Sequence, residues 1–135
     1  MDELIRFFYF FYRPLLLIFF ALNTAILGGV VFIICCFDPK GNIAHYIGKF
    51  WSRMNLLFSG VLVSVEGYEH IDRKKSYILM SNHQSHYDVW SLIANIPLQL
   101  RWVMKIELRE MPIFGYCCGR MGHIYIDRGD SKKAH

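Results

Sequence analysis

The stretch Asn82-His83-Gln84-Ser85-His86-Tyr87-Asp88 holds a histidine and a carboxylate five positions apart. An imidazole can take a proton from a hydroxyl near neutral pH, and a carboxylate beside it can fix its tautomer and steady the imidazolium. Positions five apart on one regular helix lie roughly 140° apart around the axis, so His83 and Asp88 cannot meet if a single helix carries both. Ser85 with Asp88 three residues later has the form of a helix start, with Ser85 at the cap, His83 in the turn ahead of it and Asp88 in the first turn. From there the carboxylate can reach back to the imidazole. No serine or cysteine is placed by motif as a nucleophile, so the attacking group would be a bound alcohol, which suits direct transfer of an acyl group to a hydroxyl. Each residue also has a plainer reading. Asp88 alone is a carboxylate favoured at a helix start, His83 alone is a turn histidine, and His83, His86 and Asp88 could form a small metal cluster, although no further ligand set accompanies them.

The elements that must carry this stretch are short. Tyr77-Ile78-Leu79-Met80 reads as a buried strand running into His83, and Ser85 to about Asn95 as a helix that Pro97 ends. A strand that delivers His83 at its C-terminal edge puts it where open α/β sheets hold their ligands. Val61 to Val65, Leu100 to Met104 and Ile124 to Ile126 read as further strands. Gly67 to Lys75 is a polar connection, Glu107 to Glu110 a helical turn, and Pro112 to about Cys118 a helix with Pro112 near its start. Strands alternating with helices predict an α/β sheet over residues 61–135.

Residues 1–60 have a different texture. Pro14 to Phe37 is a run of 24 residues without a charge, a helical length of roughly 36 Å against a hydrocarbon core of roughly 30 Å. Phe7, Tyr9 and Tyr12 ahead of it form an interfacial belt, and Asp38 to Asn42 supplies turn chemistry. Ile43, Ile47, Phe50, Trp51, Met54, Leu57 and Phe58 then recur at three- and four-residue steps, with His45, Lys49, Ser52 and Arg53 mostly on other faces. This predicts an amphipathic helix over about 43–59 lying in a membrane interface behind a spanning or re-entrant helix over about 14–37. Lys40, Lys49 and Arg53 behind the apolar run outnumber Arg6 and Arg13 before it, which points the later part to the cytoplasm.

Composition agrees with an anchored domain. Hydrophobic residues make up 54% and aromatics 16% of the 135 residues, while charged residues at 19% fall below the usual quarter. The net charge of +4 is spread evenly, five basic against three acidic residues in 1–60 and ten against eight in 61–135. No basic arm stands out, and a nucleic-acid partner gets no support. The cysteines fall in two adjacent pairs, Cys35-Cys36 and Cys117-Cys118, which suit neither disulfide geometry nor metal-ligand spacing and read as reduced.

The whole string Asn82-His83-x4-Asp88 resembles the first motif of the glycerolipid acyltransferases, specifically the 1-acylglycerol-3-phosphate (lysophosphatidic acid) acyltransferases. Val63-x-Val65-x-Gly67 before it, and Lys105-x-Glu107-Leu108, Pro112-x-Phe114-Gly115 and Gly122-x-Ile124-Tyr125-Ile126-Asp127-Arg128 after it, resemble the same family in order and spacing. The resemblance implies membrane-associated helices followed by an incomplete α/β acyltransferase domain. It also implies transfer of an acyl chain from acyl-CoA or acyl-carrier protein to lysophosphatidic acid, giving phosphatidic acid. His83 carries over as general base, Asp88 as its partner, Arg128 as a phosphate-binding residue and Lys105 as its companion, with no metal and no cofactor. The setting would be the cytoplasmic face of a bacterial inner membrane or the endoplasmic reticulum. Glycerol 3-phosphate or another lysolipid is the neighbouring acceptor. The family's Glu-Gly-Thr-Arg motif and a later proline-containing motif do not occur here, so the sequence is expected to be part of a longer enzyme, or an inactive lipid-binding fragment of one.

Overall fold

A computed structural model describes residues 2–38, 40–127 and 129. The first helix, α1, runs from Asp2 to Phe37. It therefore begins twelve residues before the uncharged run, and Pro14 lies inside it rather than at its start. A proline costs a helix one N–H bond, yet apolar helices accommodate it where neighbouring groups re-satisfy the freed carbonyl. Its stretch from Ile5 to Phe37 is long and apolar enough to cross a membrane by length and composition, and its most apolar window is not buried in protein.

The chain reverses at Gly41, whose φ of 64° is in the left-handed region. A Cβ there would stand 2.5 Å from the Met121 Cα, so glycine is required by both the turn and the packing. Asp38 Oδ2 accepts from the Ile43 N–H at 2.9 Å and so caps α2, Asn42–Phe58, from outside the helix. α2 packs antiparallel on α1. Asn23 Nδ2 donates to Asn55 Oδ1 at 2.8 Å, Trp51 Nε1 to Thr24 Oγ1 at 3.1 Å, and the Tyr12 hydroxyl to the Phe58 carbonyl, while the Phe19 and Phe58 rings stack.

The amphipathic pattern of α2 faces outward. Ala44, His45, Ser52, Asn55 and Leu56 are buried, whereas Ile43, Phe50 and Leu57 are more than half exposed. Small and polar side chains let the two helices approach closely, and the apolar stripe stays exposed.

α3, His86–Asn95, lies antiparallel along α2, since the Tyr87 hydroxyl donates to Ser59 Oγ at 3.2 Å and Lys49 Nζ to the Ile96 carbonyl at 2.6 Å. The strands β1, Val103–Lys105, and β2, Ile124–Ile126, form a parallel pair with Met104 opposite Tyr125. A 3₁₀ turn, Ile106–Glu110, and α4, Phe114–Arg120, make the crossover between them. α4 starts two residues later than predicted. Ile113 has φ 62° and ψ −58°, and the Phe114 N–H reaches the Pro112 carbonyl at 2.6 Å, a positive-φ γ-turn that excludes Pro112 and Ile113 from the helix.

Cys35, Ala44 and Cys117 form the buried cluster joining α1, α2 and α4, with Val31 and Met121 against it. All four cysteines are free thiols.

Two predicted strands do not form. Residues 61–65 and 77–80 belong to no sheet, and Leu62, Ile78 and Met80 are 96%, 93% and 93% exposed. Both segments have the side chains of strands, but a strand exists only when a partner takes up its N–H and C=O groups. Among the described residues neither has one. The α/β fold is thus mostly helical, with a small parallel sheet beside an N-terminal apolar helix.

His123 secures the start of this sheet, its Nδ1 accepting the Trp102 N–H at 3.0 Å. Burial, then the charges of Arg101 and His45, push its pKa down from 6.5 to about 4. The folded state holds it neutral while the unfolded chain protonates near 6.5, so its contribution is complete above that pH and is lost as pH falls towards about 4. His123→Gln is expected to remove about 3 kcal/mol of that acid-side loss. Unfolding midpoints in detergent micelles between neutral pH and pH 4 would then vary less steeply for the variant.

Candidate active site

The head of α3 is built by its own sequence. Ser85 is extended at φ −147°, ψ 154°, and its Oγ accepts the Tyr87 N–H at 3.2 Å. Asp88 Oδ2 accepts the Ser85 N–H at 2.8 Å and the Gln84 N–H at 2.7 Å, closing a capping box. The same oxygen lies 3.4 Å from His83 Nδ1. His83 sits in the turn before the helix, Asp88 in the first turn, and the pair meets. The segment leading into His83 is irregular and unpaired, so the turn follows an exposed arm rather than a buried strand.

The carboxylate is held ionised by its surroundings. The Gln84 N–H lowers its pKa most, followed by the Ser85 N–H and then His83. A carboxylate on Nδ1 favours the tautomer with its proton there, leaving Nε2 with a free lone pair. The His83 side chain is 62% exposed, and among the described residues Nε2 has no hydrogen-bond partner. His83, His86 and Asp88 do not converge as a three-ligand group, nor do any other three His, Cys, Asp or Glu among the described residues.

Two positioning residues were not visible as such in the sequence. Tyr87 fixes the head of α3 to the end of α2 through Ser59, and Trp90 meets Tyr87, Phe20 and Trp51 edge-on, with centroids 5.0, 5.3 and 5.8 Å apart. The signal was two aromatics three positions apart inside the motif helix, which must share a face. Lys105 is the last residue of β1 and is exposed. Among the described residues no hydrogen bond or ion pair joins it to His83 or Asp88. Arg128 lies outside the described residues.

The structure thus combines a histidine–carboxylate pair heading a capped helix with a helical frame, a small parallel sheet and a long apolar N-terminal helix. The chain belongs to the acyltransferase family, whose family model matches residues 62–135. It is 34% identical over 112 residues to a 1-acyl-sn-glycerol-3-phosphate acyltransferase of Helicobacter pylori, covering 83% of this chain and 46% of that protein. To the Saccharomyces cerevisiae protein of the same name it is 29% identical, over 99% of this chain and 44% of the relative. To the human 1-acyl-sn-glycerol-3-phosphate acyltransferase alpha it is 33% identical over 69 residues, 51% of this chain and 24% of the relative. The chain thus spans less than half the length of these curated relatives. No solved structure matches it.

Proposed function

We propose that the protein transfers a fatty acyl group from acyl-CoA or acyl-carrier protein to the free hydroxyl of 1-acylglycerol 3-phosphate, giving phosphatidic acid. The observation that carries this reading is the His83–Asp88 contact at 3.4 Å inside a family-matched segment. His83 Nε2 takes the proton of the acceptor hydroxyl as its oxygen attacks the thioester carbonyl. The C–O bond forms, the C–S bond breaks, and the thiolate leaves with the proton that His83 returns. Asp88 holds the ring and stabilises the imidazolium throughout. Arg128 grips the acceptor phosphate as a bidentate fork, and Lys105 adds a point charge.

The apolar flank of α1 and the outward stripe of α2 support a membrane setting, with the catalytic part at the cytoplasmic face. The test is to supply the protein, in phosphatidylcholine vesicles, with lysophosphatidic acid and radiolabelled acyl-CoA or acyl-carrier protein. Labelled phosphatidic acid should accumulate with one thiol released per ester formed, and acid quenching during turnover should trap no label on the protein. Absence of product with both donors, or a stoichiometric acyl-protein adduct, would overturn the reading.

A further inference from the structure

At the other end of α3 lies a cavity of about 590 Å³ whose lining carries three cations and no carboxylate among the described residues. That volume is within the range of small-molecule sites. His45, Lys49 and Arg53 follow one another at four-residue steps and so share a face of α2. Arg73 comes from the connection after a 3₁₀ turn, Tyr68–His70, and Tyr68 ties that turn to α3 by donating its hydroxyl to the Asn95 carbonyl at 2.8 Å. α3 has ten residues, so this cavity is separated from the His83 end of the helix by roughly 15 Å.

The charges there are unbalanced. Lys49 spends one N–H on the Ile96 carbonyl at 2.6 Å, and neither Arg53 nor Arg73 has an ion pair or hydrogen bond among the described residues. Burial first, then Arg53 and Arg73, lower the pKa of Lys49, as expected of cations gathered without a counter-ion. A second feature is independent of these charges. His45 also lines the cavity, is only 4% exposed, and its buried Nε2 has no hydrogen-bond partner. Burial, with the charges of Lys49 and Arg101, keeps this ring towards its neutral form against the opposing Leu98 carbonyl. A buried polar atom left without a partner calls for one, and Nε2 can donate to an anionic oxygen in the tautomer that places the ring's single N–H there.

We propose that this cavity is a second anion site, separate from the His83–Asp88 pair, which binds a phosphate-bearing group between Arg53, Arg73 and Lys49 with His45 at its floor. The phosphate comes from a membrane-lipid headgroup or from a soluble phosphate compound, and competition separates the two. With the Lys105→Gln, Arg128→Gln chain in phosphatidylcholine nanodiscs, so that the proposed acceptor-phosphate residues do not contribute, calorimetric titration with inorganic pyrophosphate should show one saturable site. If phosphatidic acid placed in the discs weakens that binding several-fold, the site takes lipid headgroups. If it has no effect, the site takes the soluble compound.

Arg53→Gln with Arg73→Gln should weaken pyrophosphate binding at least tenfold, because two charge-assisted forks are lost. Lys74→Gln with Lys75→Gln removes the same net charge outside the cavity and should weaken it less than threefold. Arg53 and Arg73 are exposed, so helical circular dichroism should be retained, and Arg53→Lys with Arg73→Lys provides a milder check, a three- to tenfold loss. His83→Ala should leave the binding unchanged, which keeps this result apart from that of the acylation assay. No saturable site, equal losses in the two glutamine pairs, or loss with His83→Ala would overturn the proposal.

Discussion

His83→Ala is expected to lower kcat for phosphatidic acid formation by about 10⁴, and Asp88→Asn by roughly 10³ to 10⁴, with the double variant no slower than the worse of the two. In the proposed mechanism the residues act as one unit. Asp88 Oδ2 lies 3.4 Å from His83 Nδ1, and removing either leaves a base without its orienting group or an orienting group without a base. Asparagine keeps the size of Asp88 but presents an amide to the imidazole, so the tautomer that frees Nε2 is no longer favoured.

Asp88 also caps α3, and a slow Asp88→Asn enzyme could reflect only a frayed helix. Ser85→Ala separates these effects, because it removes the side-chain acceptor of the Tyr87 N–H while leaving the carboxylate and the imidazole in place. That variant should cost about 1 kcal/mol of stability and less than tenfold in kcat. A Ser85→Ala enzyme as slow as Asp88→Asn would assign the carboxylate to structure alone. The backbone N–H groups of Gln84 and Ser85 hold the pKa of Asp88 below its ordinary value, so activity lost between neutral pH and about 5 cannot come from its protonation.

The helix head was legible because capping is local. Ser85 and Asp88 satisfy N–H groups within four residues of themselves, and such chemistry needs no knowledge of the rest of the chain. The period of α2 was legible for the same reason, whereas the outward direction of its apolar stripe was expected only from its place behind the long apolar run. A stripe of Ile43, Phe50 and Leu57 turns inward in water and outward in an apolar surrounding, and the period is the same in both. Two of the four predicted strands failed, since the hydrogen bonds of residues 61–65 and 77–80 depend on partners distant in sequence, whereas Ile124–Ile126 found its partner in Val103–Lys105. The basic cavity was hidden likewise: Lys49 and Arg53 read as the polar side of a helix and Arg73 as part of a polar connection, and only folding gathers them. In the Pro112-x-Phe114-Gly115 motif, resemblance identified the residues without giving a reason for them.

The reason for Gly115 is steric, and it yields the second large effect. A Cβ at this position would stand 2.1 Å from the Arg109 carbonyl oxygen, 2.6 Å from its carbon and 2.9 Å from the Arg109 Cα. These are backbone atoms that no rotamer change can move aside. Gly115→Ala must therefore push α4 away from the 3₁₀ turn at Ile106–Glu110. α4 holds the Tyr125 hydroxyl of β2 through the Gly115 carbonyl at 2.9 Å, and packs Cys117 against Cys35 of α1. Displacing it strains the link between the sheet and the helical hairpin together, and the expected cost is about 3 kcal/mol or more, at the upper end of overpacking. Gly119, one turn later on the same helix, has open space where its Cβ would stand, with nothing within 4 Å beyond its chain neighbours and its own helix backbone, and Gly119→Ala should gain roughly 0.5 kcal/mol from reduced freedom of the unfolded chain. Denaturant unfolding in micelles would read the two alanines with opposite signs. If both moved stability the same way, helix propensity would be the controlling factor and the close approach of α4 to Arg109 would not be.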